Sequence, residues 1–126
     1  MDRLFLDANV LFSTAYRPDP GVRQLWALSE VALLTSSYAV EEARRNLSGK
    51  DQRARLEELL GSVEVGEASM LPPELRRGVE LPDKDWPVLG TAQAAGATHL
   101  ITGDIRHFGR FFGERRWGVV VLRPGE

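Results

Sequence analysis

The sequence predicts an α/β fold: a parallel sheet covered by helices on both faces. Three observations carry this. Short strand-like runs alternate with helical stretches along the 126 residues, the pattern that yields parallel sheets. The first run, Leu4 to Leu6 within "RLFLD", is continuously apolar, as a strand buried on both faces is. Two runs, "RLFLD" and "THLITGD", end in a carboxylate.

Strand one is expected over Arg3 to Asp7. "YRPDPG", Tyr16 to Gly21, follows as a loop because two prolines and a glycine interrupt it. A helix is expected from about Val22 to Ser29, with Val22, Leu25, Trp26 and Leu28 near one face. Val31 to Ser37 reads as strand two. Ser36 or Ser37 can cap the next helix, Tyr38 to Leu47, whose apolar stripe is Ala39, Val40, Ala43 and Leu47. Asp51 to Gly61 is a further helix, opened by an acid and closed by glycine. Ser62 to Gly66 is a short strand. From Glu67 to Lys84 prolines 72, 73 and 82 break the pattern, leaving a loop with one helical turn around Glu74 to Arg77. Asp85 to Ala97 reads as a helix, with Asp85 where an N-cap belongs and Pro87 in the first turn, where its missing N–H costs little. His99 to Thr102 is the next strand. Asp104 to Gly113 is a short helix or turn, and Trp117 to Pro124 the last strand.

Bulk composition narrows the chemistry. The length suits one domain over residues 1–126 that buries its own core. Apolar residues make up 43% and charged residues 27%, ordinary for a globular protein. There is no cysteine and there are two histidines, which removes disulfides, thiolate sites and multi-histidine zinc centres. A metal here must be held mainly by oxygen, which favours Mg²⁺ or Mn²⁺. The net charge of −2 is no footprint for broad binding of nucleic acid. The N-terminus lacks a secretory pattern and no apolar stretch is long enough to span a membrane, so a cytoplasmic protein without membrane contact is expected.

In an open α/β sheet, ligands gather at the carboxyl ends of the strands where strand order reverses. Asp7 and Asp104 both sit at such ends. If their strands are neighbours, the two carboxylates approach closely. Asp85 and an acid from "SYAVEEARRNL", Glu41 or Glu42, need a more specific fold to join them. Clustered carboxylates repel one another, and a divalent cation reverses that logic. Such a cation can orient a phosphodiester, lower the pKa of bound water and stabilise the leaving oxygen.

Four segments together, "FLDANVLFS", "TSSYAVEEARRNL", "LPDKDWPVLGTAQAAGATHLITGD" and Phe108 after it, resemble the PIN-domain ribonucleases over nearly the whole chain. The resemblance implies a three-layer α/β/α PIN-like fold with a sheet of about five strands in order 3-2-1-4-5. It carries the family's acids onto Asp7, Glu42, Asp85 and Asp104, as catalytic residues and metal ligands, with Asn9 two residues after the first. It implies Mg²⁺- or Mn²⁺-dependent cleavage of RNA. Many such proteins in bacteria and archaea are VapC-type toxins held inactive by a protein antitoxin, and homodimers are common among them. Glu41 beside Glu42, and Asp83 beside Asp85, remain alternatives on periodicity alone.

Plainer readings stand beside these. Taken alone, Asp85 is a helix cap and Asp104 a turn residue. Asp7 is harder to explain away, because an acid ending a buried strand needs a partner and no obvious lysine or arginine is offered. Thr102 is either a partner of a site carboxylate or a strand-end threonine, and Asn9 either orients a site water or makes a local turn. His107 suggests a general base, but a metal-dependent route needs none, so a solvated or capping histidine is expected. Arg44, Arg45, Arg106 and Arg110 individually read as helix-face charges, and as a group include phosphate contacts. Trp26, Trp86 and Trp117 read as core or interface residues, with Trp86 the best placed for stacking. Two rivals remain. One is a PIN-like module that binds RNA or protein without cutting. The other is a haloacid-dehalogenase-like phosphatase, a family that places a second aspartate where Asn9 stands.

Overall fold

The computed structural model describes residues 1–17, 21–71, 73–76, 81–113 and 117–124. The chain runs β1 (Asp2–Leu6), α1 (Ala8–Tyr16), a 3₁₀ segment (Gly21–Ala27), β2 (Val31–Ser36), α2 (Ser37–Asn46), α3 (Lys50–Leu60) and β3 (Val63–Gly66). It continues through 3₁₀ turns at Pro73–Leu75 and Asp83–Asp85 to α4 (Trp86–Ala94), β4 (His99–Ile101), α5 (Ile105–Phe108), a 3₁₀ turn (Gly109–Phe111) and β5 (Val120–Leu122).

The five strands are all parallel, in order β3-β2-β1-β4-β5. Side chains alternate between the two faces of a strand, and the strands divide accordingly. Leu4, Leu6, Leu33 and Ile101 enter one core with α1, α2 and α3. Phe5, Leu34, Leu100 and Val121 enter the other with α4 and the C-terminal segment. Both faces are therefore covered, which makes the three-layer α/β/α fold and explains why Leu4 to Leu6 of β1 read as an unbroken apolar run. Phe5 and Leu6 are fully buried, worth roughly 2–3 kcal/mol each.

The chain moves outward from β1 to β2 and β3, then crosses to β4 on the other side of β1. The reversal leaves a crevice at the carboxyl ends of β1 and β4. Their ends are fixed by hydrogen bonds from the Asp7 N–H to the Ile101 carbonyl (3.0 Å) and from the Thr102 N–H to the Leu122 carbonyl (3.0 Å). The Thr35 hydroxyl donates to the Leu6 carbonyl (2.8 Å) from the β2 side.

Ala8–Tyr16 is a helix that the strand-and-loop reading leaves out. Its buried residues, Ala8, Val10, Leu11, Thr14 and Ala15, follow helical spacing, but the run continues β1 without a polar break. The expected helix over Val22 to Ser29 is 3₁₀ from Gly21 to Ala27. Ser36 is the cap of α2, accepting from the Ala39 N–H at 3.0 Å. α3 begins at Lys50, so Asp51 lies in its first turn, and Gln52 accepts from the Gly49 N–H at 3.0 Å. α4 ends at Ala94, and Gly96, at φ 72°, turns the chain out of it. The expected turn at Glu74 is present as Pro73–Leu75; Arg77, and residues 18–20 of the expected loop, lie outside the described residues.

Between β3 and α4 the chain crosses directly over Gly90. A Cβ there would lie 2.2 Å from the Ser69 carbonyl oxygen and 2.4 Å from the Leu71 nitrogen. Thr91 clamps the crossing by accepting from the Ser69 N–H at 2.8 Å. This seats Leu71 in the second core and sets where α4 starts. Among the described residues, no helix is long and apolar enough to cross a membrane.

Candidate active site

At the carboxyl edge of the sheet, Asp7, Glu42, Asp85 and Asp104 line one cleft of about 550 Å³, with Ala8, Asn9, Phe12, Asn46, Val88 and Gly103. The acids come from four separate places: the β1–α1 junction, the middle of α2, the start of α4, and the turn after β4.

Asp7 is buried and its carboxylate is held on both oxygens. Oδ1 accepts from the Ala8 N–H (2.7 Å), and Oδ2 from the Thr102 hydroxyl (2.8 Å) and the Asn9 amide (3.2 Å). Asn9 also accepts from the Gly103 N–H at 2.7 Å, tying the β1 end to the loop that carries Asp104. Asn9 and Thr102 are thus parts of a rigid frame around Asp7. Burial pushes the Asp7 carboxyl up from 3.8 to about 6; the bonds from Thr102 and Ala8 oppose the rise, and the charges of Glu42 and Asp85 add to it.

Asp104 Oδ1 accepts from the His107 N–H at 3.0 Å. His107 Nδ1 lies 2.8 Å from Oδ2 of both Asp104 and Asp85. Both distances are within ion-pair range, though neither contact has hydrogen-bond direction. Asp85 is buried, and its side chain makes no cap bond to α4. The plain capping reading of Asp85 therefore fails.

No family model matches the sequence, and no curated protein sequence matches it. Solved structures do match. A chain of VapBC2 from Rickettsia felis, solved bound to a DNA fragment from their promoter, superposes with a TM-score of 0.69 at 19% identity, over 96% of this chain and 98% of that one. VapC20 from Mycobacterium tuberculosis, a sarcin–ricin-loop-cleaving toxin, gives a TM-score of 0.56 at 17% identity, over 80% and 91%. The chain shares the three-layer α/β/α, PIN-like fold of these structures.

Within this PIN fold the paired alternatives lie apart. Glu42 faces the cleft. Glu41 is exposed and accepts from Arg44 at 2.6 Å, and Arg44 also bonds Glu57 at 2.6 Å, joining α2 to α3. Those carboxylates hold the Arg44 guanidinium above its ordinary value. Asp83 is exposed, whereas Asp85 is buried. Arg45 is exposed; the side chains of Arg106 and Arg110 lie outside the described residues. The Trp26 indole donates to the Leu59 carbonyl at 3.0 Å. Trp117 is buried, as is Trp86, which has the Arg76 guanidinium 5.4 Å from its ring centroid. Trp86 is therefore no stacking platform.

Residue reading misplaced His107 and missed Asn46. His107 is neither solvated nor a cap: it lies between two acids. Its i,i+3 spacing from Asp104 in "DIRH" is the available signal. Asn46 stands one turn after Glu42 on the same side of α2 and lines the cleft with it.

Asp85, Asp104 and His107 each offer one ligand atom, all within 4.8 Å of one another, a group able to hold a metal ion. Among the described residues no lysine or arginine pairs with Asp7 or Asp104. An oxygen-rich donor set whose buried member is hard to ionise fits a hard divalent cation.

Proposed function

We propose that the protein is a divalent-metal-dependent ribonuclease that hydrolyses RNA phosphodiesters and serves as the toxin of a toxin–antitoxin pair. One observation carries the reading: four carboxylates, distant in sequence, share one cleft in which burial and mutual repulsion keep Asp7 hard to ionise. The likeness of the fold to VapC20, a toxin described as cleaving the sarcin–ricin loop, supports it further.

Asp7, Glu42, Asp85 and Asp104 would hold Mg²⁺ or Mn²⁺, with His107 Nδ1 as an additional donor. When bound, such an ion supplies charge neutralisation, a more acidic water and stabilisation of the leaving oxygen. The chain supplies the rest. Thr102, Asn9 and the Ala8 N–H fix both oxygens of Asp7, so its direction is set before substrate arrives. Asn9, bound to both Asp7 and Gly103, keeps the two strand-end acids at constant spacing. His107 orients Asp104 through its backbone N–H. Ala8, Phe12 and Val88 give the cleft an apolar wall that limits water. The carboxylates repel a phosphodiester when no cation is present, so RNA affinity should rise on adding Mn²⁺.

Asp7→Asn is the test. Expected is a loss of at least about 100-fold in Mn²⁺-dependent cleavage of RNA, with far-UV circular dichroism unchanged. Full activity in that variant would overturn the assignment. The antitoxin and a homodimer belong to the same proposal. Coexpression with the product of an adjacent small open reading frame should suppress cleavage, and sedimentation should give twice the chain mass.

A further inference from the structure

The donor group formed by Asp85, Asp104 and His107 is not all oxygen, and the exception bears on which ion suits it. Nδ1 of His107 is buried and makes no hydrogen bond among the described residues. Yet it stands 2.8 Å from Oδ2 of Asp85 and 2.8 Å from Oδ2 of Asp104.

The main chain holds the ring in that place. Phe108, the next residue, is fully buried in the second core, and its N–H donates to the Asp104 carbonyl at 3.0 Å. The His107 N–H donates to Asp104 Oδ1 at 3.0 Å, and the Asp104 N–H to the Thr102 hydroxyl at 3.1 Å. One oxygen of Asp104 is thus engaged by the backbone, and the other is the one beside Nδ1.

A proton on Nδ1 would align a hydrogen bond with one of the two oxygens, because 2.8 Å is hydrogen-bond distance. Neither contact has that direction. A lone pair facing two carboxylate oxygens is repelled by both unless a cation lies among the three atoms. The spacing suits such an ion. Adjacent ligand atoms around an octahedral ion at about 2.0–2.1 Å lie roughly 2.9 Å apart, close to the two separations of 2.8 Å.

Resting on the metal-dependent reading above, we propose that the His107 imidazole is a direct ligand that makes this site select Mn²⁺ over Mg²⁺. Mg²⁺ favours oxygen donors and gives up its water reluctantly. Imidazole strengthens the hold on first-row transition ions and adds little for Mg²⁺. The four carboxylates alone would serve either ion, so the nitrogen is what discriminates. The N–H that aims Asp104 belongs to the main chain and is kept whatever side chain stands at position 107. Replacing His107 therefore removes the ring and leaves that aim in place.

The test titrates full-length wild type, His107→Ala and His107→Gln with MnCl₂ and with MgCl₂ in a calorimeter, with far-UV circular dichroism as the control for folding. Pulsed electron paramagnetic resonance of the Mn²⁺-loaded proteins gives a second readout, the coupling of the ion to a ligand nitrogen. Expected for the wild type are tighter binding of Mn²⁺ than of Mg²⁺ by at least about 10-fold and a clear nitrogen coupling. His107→Ala should weaken Mn²⁺ by about 10- to 100-fold with Mg²⁺ nearly unchanged. His107→Gln, which offers an oxygen in place of the nitrogen, should bind the two ions about equally. Both variants should lack the coupling. A wild type without nitrogen coupling overturns the inference, and that measurement depends on no variant. So does an equal loss for both ions in His107→Ala, which would make His107 a positioning residue. Either outcome leaves the nuclease reading intact, because Asp7→Asn with full activity is what removes it. Binding of neither ion by the wild type overturns this inference and the metal-dependent reading together.

Discussion

At the residue scale the decisive group is Asp7, whose carboxyl is raised to about 6 by burial first and then by neighbouring charge. The folded chain therefore holds this proton more tightly than the unfolded chain, where the value is near 3.8. Between those values the native state binds more protons, so stability without metal falls as pH rises from about 4 through 6. The loss is on the order of 3 kcal/mol. Asp7→Asn removes the ionisation and should raise the Tm of the EDTA-treated protein at pH 7. That advantage should vanish by pH 4; an advantage of equal size at both pH values would refute the cause. His107 makes a second test. Whether it binds an ion or orients Asp85 and Asp104, His107→Ala should weaken Mn²⁺ binding by about 10- to 100-fold in calorimetry, and unchanged affinity would remove it from the site.

At the element scale the fold rests on junctions. Gly90 lies beneath the Ser69–Leu71 backbone with no room for a methyl group, so Gly90→Ala should destabilise by about 2–3 kcal/mol and lower Tm by roughly 10 °C. A neutral result would mean that the crossing is loose. Ser36→Ala removes the cap of α2 and should cost about 1 kcal/mol in urea unfolding. The strands were readable because β1, β2 and β4 are buried on both faces and announce themselves as short apolar runs. α1 was not, because its apolar residues continue those of β1 and only Asp7, a strand end and helix start at once, marks the change. Ala95 to Ala97 looked helical by composition; Gly96 ends the helix by its positive φ. For the site, Asp7 and Asp104 stand where strand ends must gather. The cleft-facing sides of Glu42 and Asp85 depend on how α2 and α4 pack, which periodicity alone leaves open. His107 was read as solvated or capping because its place follows from the short α5, whose register no sequence pattern sets.

At the scale of the whole molecule, strand order and metal affinity are one subject. Asp7 and Glu42 come from the half of the chain before the crossover, and Asp85 and Asp104 from the half after it. An ion held by these acids, as proposed, would tie both halves together, so saturating Mn²⁺ should stabilise the wild type by about 2–3 kcal/mol at 100 times Kd. Asp7→Asn should lack that gain in a thermal scan with and without the metal. The same parallel order governs when the molecule becomes able to act. While the ribosome is still making it, the growing polypeptide carries two of its acids and no β4 against which to set them. A site that needs all four acids is thus withheld until β4 and the turn that carries Asp104 have been made, by the route of the chain alone.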